Sequence, residues 1–148
     1  MFQGETAITI DDKGRMSIPS TYRETVSAQC GNKLVFVYNP FEQGCLWIFP
    51  VRDWEKLRDQ VNGLSSLNAV HRNLQMKLVG AATVVECDSN GRLLVPASQR
   101  ASAKIEKNAV LLGMGAKFEL WSESAHQKQI AATIGEAEVT PDMMKLSL

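Results

Sequence analysis

The sequence has no excess of charge of one sign, no long apolar run and few cysteines. Its 148 residues carry 16 Lys+Arg and 16 Asp+Glu, which excludes a protein that coats nucleic acid through bulk positive charge but leaves room for a local basic site. No stretch reaches the roughly 18–20 consecutive apolar residues that a membrane span needs, and residues 1–15 lack the basic start and apolar run of a secretion signal. We therefore expect a cytoplasmic protein that does not contact a membrane.

The motifs of metal, redox and nucleotide chemistry are also missing. Cys30, Cys45 and Cys87 are odd in number, with no C-x-x-C pair and no histidine at ligand spacing, so we expect free thiols, no disulfide framework and no metal site. Residues 113–115 (GMG) lack the helix start and third glycine of a nucleotide-binding loop. No spacing indicates a nucleophile and its base. We expect a protein without cofactor or enzymatic activity.

What is present is the composition of a folded protein, with 45% apolar residues. A compact chain of this length buries roughly 68–70% of its unfolded surface, whereas two independent halves of about 70 residues would each be marginally stable. Any internal division should therefore share one core or be stabilised by oligomerisation.

The chain contains two copies of one pattern. Residues 11–23 read DDKGRMSIPSTYR and residues 88–100 read DSNGRLLVPASQR, at a constant separation of 77 positions. Solenoid repeats are shorter and need at least three units, so two copies indicate a duplicated small domain. The five identical pairs are Asp11/Asp88, Gly14/Gly91, Arg15/Arg92, Pro19/Pro96 and Arg23/Arg100.

Each copy predicts the element order β-β-α-β-β. Short β-branched runs precede and follow an Asp-x-x-Gly-Arg turn, which is typical of a hairpin, and Gly14 and Gly91 provide the positive φ that a tight turn needs. One or two helical turns follow each second strand, the first with Thr21 and Glu24 at capping-box spacing. Two more apolar strands complete each copy.

Helical patterns lie between and after the copies. Apolar residues recur at three- and four-residue steps over 51–64 and 67–78, which predicts a helical hairpin, and a weaker pattern covers 124–134 before a loosely held tail. The α+β chain then divides into a first domain (5–52), a connecting helical hairpin (53–79), a second domain (81–124) and a C-terminal helix with its tail (125–148).

The paired Asp-x-x-Gly-Arg turns, each followed by a strand that ends in proline, resemble the MraZ family of bacterial regulators, which contain two SpoVT-AbrB-type domains. The N-terminal run MFQGETAITIDDKGRMSIP and the helices between the copies resemble the family as well. The resemblance implies duplicated units that complete one another as a swapped-hairpin-like barrel. It also implies rings of several subunits that bind repeated promoter sequences in double-stranded DNA and repress the division and cell-wall gene cluster and their own gene.

The family's DNA-contact motif, Asp-x-x-x-Arg, falls on residues 11–15 and 88–92. We expect Lys13 to be an additional contact in the first copy, whereas Asn90 replaces it in the second. The two turns are therefore not expected to contribute equally.

Arg15 and Arg92 are the candidate DNA-contacting residues on chemical grounds too. A guanidinium fork fits a phosphate or a guanine edge, and a turn presents it where a flat sheet cannot. The turn itself needs the glycine and not the arginine. We therefore favour DNA contact for both arginines over the alternative, a solvated turn residue.

The other repeated polar residues have different expected roles. Asp11 and Asp88 would be repelled by phosphate, so we expect them to support the loops by accepting backbone hydrogen bonds, together with Gly14 and Gly91. Arg23 and Arg100 are the remaining repeated pair. Two roles stay open for them: contact with a phosphate near a helix N-terminus, or a salt bridge between copies or subunits. Trp47, Trp54 and Trp121 are expected in the core, and His71 and His126 at the surface or an interface.

The leading hypothesis is a nucleoid-associated transcriptional repressor that acts as a ring-shaped homo-oligomer. Residues 1–77 hold nine basic and eight acidic residues and residues 78–148 hold seven and eight, so one subunit should bind DNA weakly. Several weak contacts on consecutive DNA repeats gain avidity. The alternative is an antitoxin-type module that binds DNA and captures a partner protein with its helices or tail.

Overall fold

Both copies fold in the predicted order β-β-α-β-β. The computed structural model describes residues 1–148. The first copy contains β1 (Phe2–Thr9), β2 (Arg15–Ser17), α1 (Ser20–Cys30), β3 (Lys33–Tyr38) and β4 (Cys45–Pro50). The second contains β5 (Thr83–Glu86), β6 (Arg92–Leu94), α4 (Ala97–Ser102), β7 (Asn108–Gly115) and β8 (Phe118–Ser122). The α+β class is confirmed.

Helices connect and follow the copies, as the periodicity predicts. The connecting hairpin consists of α2 (Val51–Asn62) and α3 (Ala69–Gln75), which runs on into one π-helical turn (Met76–Gly80). After the second copy come α5 (Glu123–Ala131) and two short 3₁₀ turns (Glu136–Glu138 and Met143–Lys145). None of these helices combines the length and the apolar character needed to cross a bilayer.

The copies exchange strands within one six-stranded antiparallel sheet, whose order is β1-β7-β8-β4-β3-β5. The first strand of each copy pairs with the third strand of the other, β1 with β7 and β5 with β3. The second strands pair with each other, β2 with β6, and not with the first strand of their own copy. The predicted pairing within each hairpin is therefore wrong. The exchange places apolar residues of both copies in a shared core, which halves of this size require.

The closed barrel implied by the resemblance is not confirmed. Strands β1 and β5 are the two edges of the sheet, and they are not paired with each other. The β2–β6 ladder is a separate two-stranded ribbon, which we call the central ribbon. The architecture is an open sheet with the ribbon and the helices packed against it.

Two apolar clusters hold the layers together. The larger has 19 buried residues and includes Met16 and Leu93 of the ribbon together with alternate residues of the sheet, such as Phe36 and Leu120. The smaller has five buried residues and lies between the sheet and the connecting hairpin; it consists of Val35, Val37, Phe49, Val61 and Leu78. Trp121 is buried in β8, and the half-buried Trp47 and Trp54 pack against the smaller cluster. The expected core role of the tryptophans fits this packing.

Helix α1 is longer than expected, and its predicted capping box is absent. It runs for 11 residues and has no side-chain hydrogen bond at its N-terminus, where Pro19 is the capping residue. Tyr22 and Val26 bury one face of the helix, and Gly31 ends it in the left-handed conformation. Thr21 therefore lies inside the helix instead of capping it, and Gly31 sets the C-terminal end of α1.

Candidate nucleic-acid interface

The first turn (residues 11–15) is organised by its aspartate. One carboxylate oxygen of Asp11 accepts hydrogen bonds from the backbone N–H groups of Lys13 and Arg15, at 3.0 and 2.9 Å. The other oxygen accepts from Nε of Arg15 at 2.8 Å. Gly14 has a φ of 84° and donates its N–H to the Asp11 carbonyl. Every polar group of the aspartate thus serves the turn and the orientation of Arg15.

The second turn (residues 88–92) repeats this geometry. Asp88 accepts from the N–H groups of Asn90 and Arg92, both at 2.9 Å, and from Nε of Arg92 at 3.0 Å. Gly91 has a φ of 74° and donates to the Asp88 carbonyl. Two sequences that share only Asp, Gly and Arg therefore make the same turn.

The hydrogen bonds keep both aspartates ionised. The backbone N–H of Arg15 lowers the pKa of Asp11, with smaller contributions from the Arg15 side chain and the Lys13 N–H. The backbone N–H of Arg92 likewise lowers the pKa of Asp88. At neutral pH each turn therefore carries a carboxylate that is held on its arginine.

The central ribbon brings the two turns together. In its register Arg15 lies opposite Leu94, Met16 opposite Leu93 and Ser17 opposite Arg92. Backbone bonds from Ile18 to Gly91 and from Val95 to Gly14, both 2.9 Å, extend the ladder to each turn glycine. Opposite residues of an antiparallel pair share a face. Because Met16 and Leu93 point into the core, the two arginines share the outward face.

The arginines present an unused hydrogen-bonding fork on that face. They are diagonal neighbours in the ladder, a relation that places residues about 7–8 Å apart. Each arginine uses Nε to bind its own aspartate. Their terminal NH₂ groups form no hydrogen bond within the chain, so two parallel donors from each guanidinium are free for a ligand.

Arg23 and Arg100 each lie beside the turn of the other copy. The Arg23 guanidinium packs over Gly91, where a Cβ atom would come within 2.9 Å of its Nε, and the Arg100 guanidinium packs over Gly14, where the corresponding closest approach is 3.3 Å. Neither arginine has a carboxylate within 4.0 Å in the chain, so the salt bridge between copies does not form. Phosphate contact and a bridge between subunits stay open.

Two side chains of this face were not identified from the sequence. Ser17 and Leu94 are exposed on the outward face, next to the arginines. The alternation of side chains along a strand could have identified them. Met16 and Leu93 point into the core, so the residues on both sides of each must point outward. Lys13 and Asn90 are exposed at the turns themselves.

The remaining polar candidates lie away from the ribbon. Nε2 of His126 in α5 is 3.0 Å from a carboxylate oxygen of Glu5 in β1, and His71 lies on α3.

Cys30, Cys45 and Cys87 are free, and burial raises the pKa of Cys45 to about 12. At Gly113 an added Cβ would come within 2.4 Å of the Gln3 backbone nitrogen. This glycine permits the close approach of β1 to β7.

Comparison with known proteins covers the whole chain. The profile of a family described as "MraZ protein, putative antitoxin-like" matches residues 1–77 and again residues 78–145. The chain is 53% identical to a protein of Xanthomonas oryzae pv. oryzae and 52% identical to one of Stenotrophomonas maltophilia, over 148 residues and 100% of both chains in each case. It is 39% identical over 147 residues to a protein of Marinobacter nauticus, covering 99% of this chain and 98% of the relative. All three relatives are named "Transcriptional regulator MraZ". The chain belongs to the MraZ family.

Proposed function

We propose that this protein is a DNA-binding transcriptional regulator that reads sequence with the outward face of the central ribbon. The observation that carries the proposal is the register of β2 and β6, which places Arg15 and Arg92 on one exposed face with free terminal NH₂ groups. The names of the relatives support a role in transcription. No enzymatic step is part of the proposal.

A two-stranded ribbon fits the major groove of B-DNA. That groove is about 12 Å wide and admits a two-stranded β-ribbon. Arginine donates two parallel hydrogen bonds to O6 and N7 of guanine, the commonest specific contact in this groove. With Nε fixed by Asp11 or Asp88, the fork is oriented before DNA arrives. The ordering cost of binding is then reduced.

Other cations near the ribbon are suited to the DNA backbone. Lys13 is exposed at the first turn, and Arg23 and Arg100 flank the two turns without acidic partners. Contacts of this kind fix register and orientation without reading bases. Asp11 and Asp88 have their oxygens engaged by the turns, so we assign them, with Gly14 and Gly91, to loop support.

We extend the proposal to the assembly and the target. The chain has zero formal net charge, so affinity should come from several subunits bound to consecutive repeats, with gains of about 10²–10⁴ from avidity. We propose a ring of subunits, located in the cytoplasm on the nucleoid. Its targets would be promoter repeats of its own gene and of the division and cell-wall gene cluster, which it represses. The SpoVT-AbrB character of the exchanged copies belongs to the same proposal.

A second candidate function is an antitoxin-type module. It is favoured by the words "antitoxin-like" in the family description and by the tail, where Ile134, Met144 and Leu146 expose apolar side chains. In this case the tail would hold a partner protein while the ribbon binds DNA. A chain that ends at residue 133 should keep full DNA affinity in both cases and lose the partner protein only if the tail holds it. DNA binding therefore tests the ribbon, and partner capture tests the tail.

The test is DNA binding by a double variant. Arg15→Ala with Arg92→Ala should lower affinity for duplex DNA from upstream of the protein's own coding region by more than the roughly 1–3 kcal/mol expected for one bidentate contact. Each substitution removes one partly exposed Nε–carboxylate pair, so it should change the free energy of unfolding by at most about 1 kcal/mol. The charge-matched control is Lys128→Ala with Lys145→Ala, which are exposed in α5 and in the tail. Parent-like binding by the double variant, with its melting temperature unchanged, would refute the proposal.

A further inference from the structure

The outward face of the ribbon is symmetric in its backbone but not in its side chains. Ser17 and Leu94 occupy the same position in the two copies, 77 residues apart. Each lies opposite the arginine of the other copy, Ser17 across from Arg92 and Leu94 across from Arg15. The first copy therefore contributes an arginine and a hydroxyl to this face, and the second contributes an arginine and an isobutyl group.

The exposure of Leu94 has no explanation in the packing of the chain. Leu94 is 55% exposed, whereas its neighbour Leu93 is 1% exposed and fills the core. Ser17, which is also exposed, demonstrates that a polar residue fits the same place in the ribbon. A leucine here keeps apolar surface in water directly beside a guanidinium fork. Such a group gains free energy only when something apolar covers it.

We propose, on the basis of the DNA-binding function above, that Leu94 and Ser17 determine specificity. Leu94 packs against the C5-methyl group of a thymine next to the base that Arg15 reads. Ser17 donates or accepts a hydrogen bond at the base edge next to the one that Arg92 reads. Apolar side chains recognise the thymine methyl in the major groove, whereas serine pairs with any base that offers a donor or an acceptor.

The spacing of side chains in the ladder supports contact with neighbouring bases. Opposite residues of an antiparallel pair have Cβ atoms about 4.5–5.5 Å apart, and successive bases of one DNA strand are separated by about 3.4 Å. Side chains of Arg15 and Leu94 can therefore reach adjacent base pairs. The two halves of one ribbon then recognise different sequences, although their turns have the same geometry.

The test removes the methyl group from DNA. The parent protein first selects duplexes from a randomised 30-base-pair library, and each thymine of the selected site is then replaced singly by deoxyuridine. The parent should lose affinity about fourfold for each repeat at one thymine position, the value for one buried carbon. Leu94→Ser should bind the thymine and deoxyuridine duplexes equally. Ser17→Leu, after reselection, should enrich thymine at the position related by the pseudo-symmetry of the ribbon.

The control is Val84→Ser, because Val84 is also 55% exposed but lies on the edge strand β5. This variant should keep the parent's loss on deoxyuridine. The inference is wrong if deoxyuridine has no effect on the parent at any position, or if Leu94→Ser retains that effect. The inference would also be overturned if Leu94→Ser changed the particle mass but left the loss of affinity on deoxyuridine unchanged. Failure of the parent to select any sequence, or equal binding by Arg15→Ala, would instead refute the proposed function.

Discussion

In the first copy the Asp11–Arg15 ion pair measures 2.8 Å and in the second the Asp88–Arg92 pair measures 3.0 Å, whereas the helices that follow the two turns have 11 and 6 residues. The turns agree because their geometry depends on local groups, an Asp carboxylate, three backbone N–H groups and a glycine at positive φ. The helices differ because α1 continues to the left-handed Gly31, whereas α4 ends with Ala103 as its C-cap, just before Lys104 with its φ of 54°. Local chemistry has been kept in both copies, and tertiary packing has diverged.

Tyr22 and Gln99 illustrate the divergence at one position of the repeat. The Tyr22 hydroxyl donates to the Gln3 carbonyl in β1. Gln99 is buried in α4 and donates to the carbonyl of Ala81, just before β5, at 2.8 Å and to that of Phe36 at 3.2 Å. Each side chain ties the helix of its copy to the start of that copy's first strand. The same connection is thus made by two unrelated side chains.

The largest expected effect comes from the segment that follows the first copy. Leu67 and Val70 of the connecting hairpin are 97% and 76% exposed, and we expect them to lie between subunits. Leu67→Glu with Val70→Glu should reduce the particle toward the 16.3 kDa monomer and lower DNA affinity by about 10²–10⁴, the loss of avidity. Light scattering and DNA titration measure the two effects.

The matched control for this prediction lies in the segment after the second copy. Val139→Glu with Met144→Glu places the same charges on exposed apolar positions of the tail and should leave particle mass and affinity unchanged. If the hairpin variant keeps the mass of the parent, the assembly uses another surface. If the parent itself is a monomer at micromolar concentration, the ring is wrong.

The buried donor of the second copy should have the next largest effect. Gln99→Leu leaves the Ala81 carbonyl without this donor, and an unsatisfied buried group costs about 1–3 kcal/mol. Part of this cost is offset because the substitution also removes Oε1 of Gln99, which is buried without a partner. Tyr22→Phe removes one hydrogen bond and keeps the ring in contact with Phe2 and Phe118, so it should cost about 1 kcal/mol. Urea denaturation compares the two variants. Equal losses of unfolding free energy would show that the two side chains, although different, stabilise their copies to the same extent.

The smallest expected effect concerns the residue that differs between the two turns, Lys13 in the first and Asn90 in the second. Lys13→Asn gives the first turn the residue of the second, and Asn90→Lys does the reverse. Removing one phosphate contact should make the log–log salt dependence of affinity shallower by about 0.9 for each subunit on the DNA, and adding one should steepen it equally. Titrations at several salt concentrations measure the slope. An unchanged slope for both variants would mean that neither position touches the DNA backbone.

The sequence predicted those features of the fold that depend on local residues. The positive φ values of Gly14 and Gly91, the order β-β-α-β-β and the helical hairpin followed from turn chemistry and periodicity. Strand pairing did not follow, because β2 reads equally well as the partner of β1 or of β6, and only the shared core favours β6. The capping box predicted at Thr21 and Glu24 was wrong because Pro19 is the N-cap, and α1 is longer than predicted because it continues to the left-handed Gly31.

The candidate site was predicted residue by residue but not as a surface. The repeat pointed to Arg15 and Arg92 separately, and their presence on one face depends on a ladder between copies that no local signal specifies. Ser17 and Leu94 were missed because they are not identical between the copies. The proximity of Arg23 and Arg100 to the opposite turns likewise depends on the exchange of strands.

Arg15 and Arg92 are expected to read nearby bases of one DNA site from a single face of the ribbon. The most direct measurement replaces each guanine of a selected duplex by 7-deazaguanine, which lacks the N7 acceptor, and titrates the parent and the two single variants. The parent should lose affinity at two guanine positions within about three base pairs, given arginines about 7–8 Å apart and a rise of about 3.4 Å. Arg15→Ala should become insensitive at one position and Arg92→Ala at the other. Sensitivity that persists in both variants, or positions a helical turn apart, would contradict a single reading face.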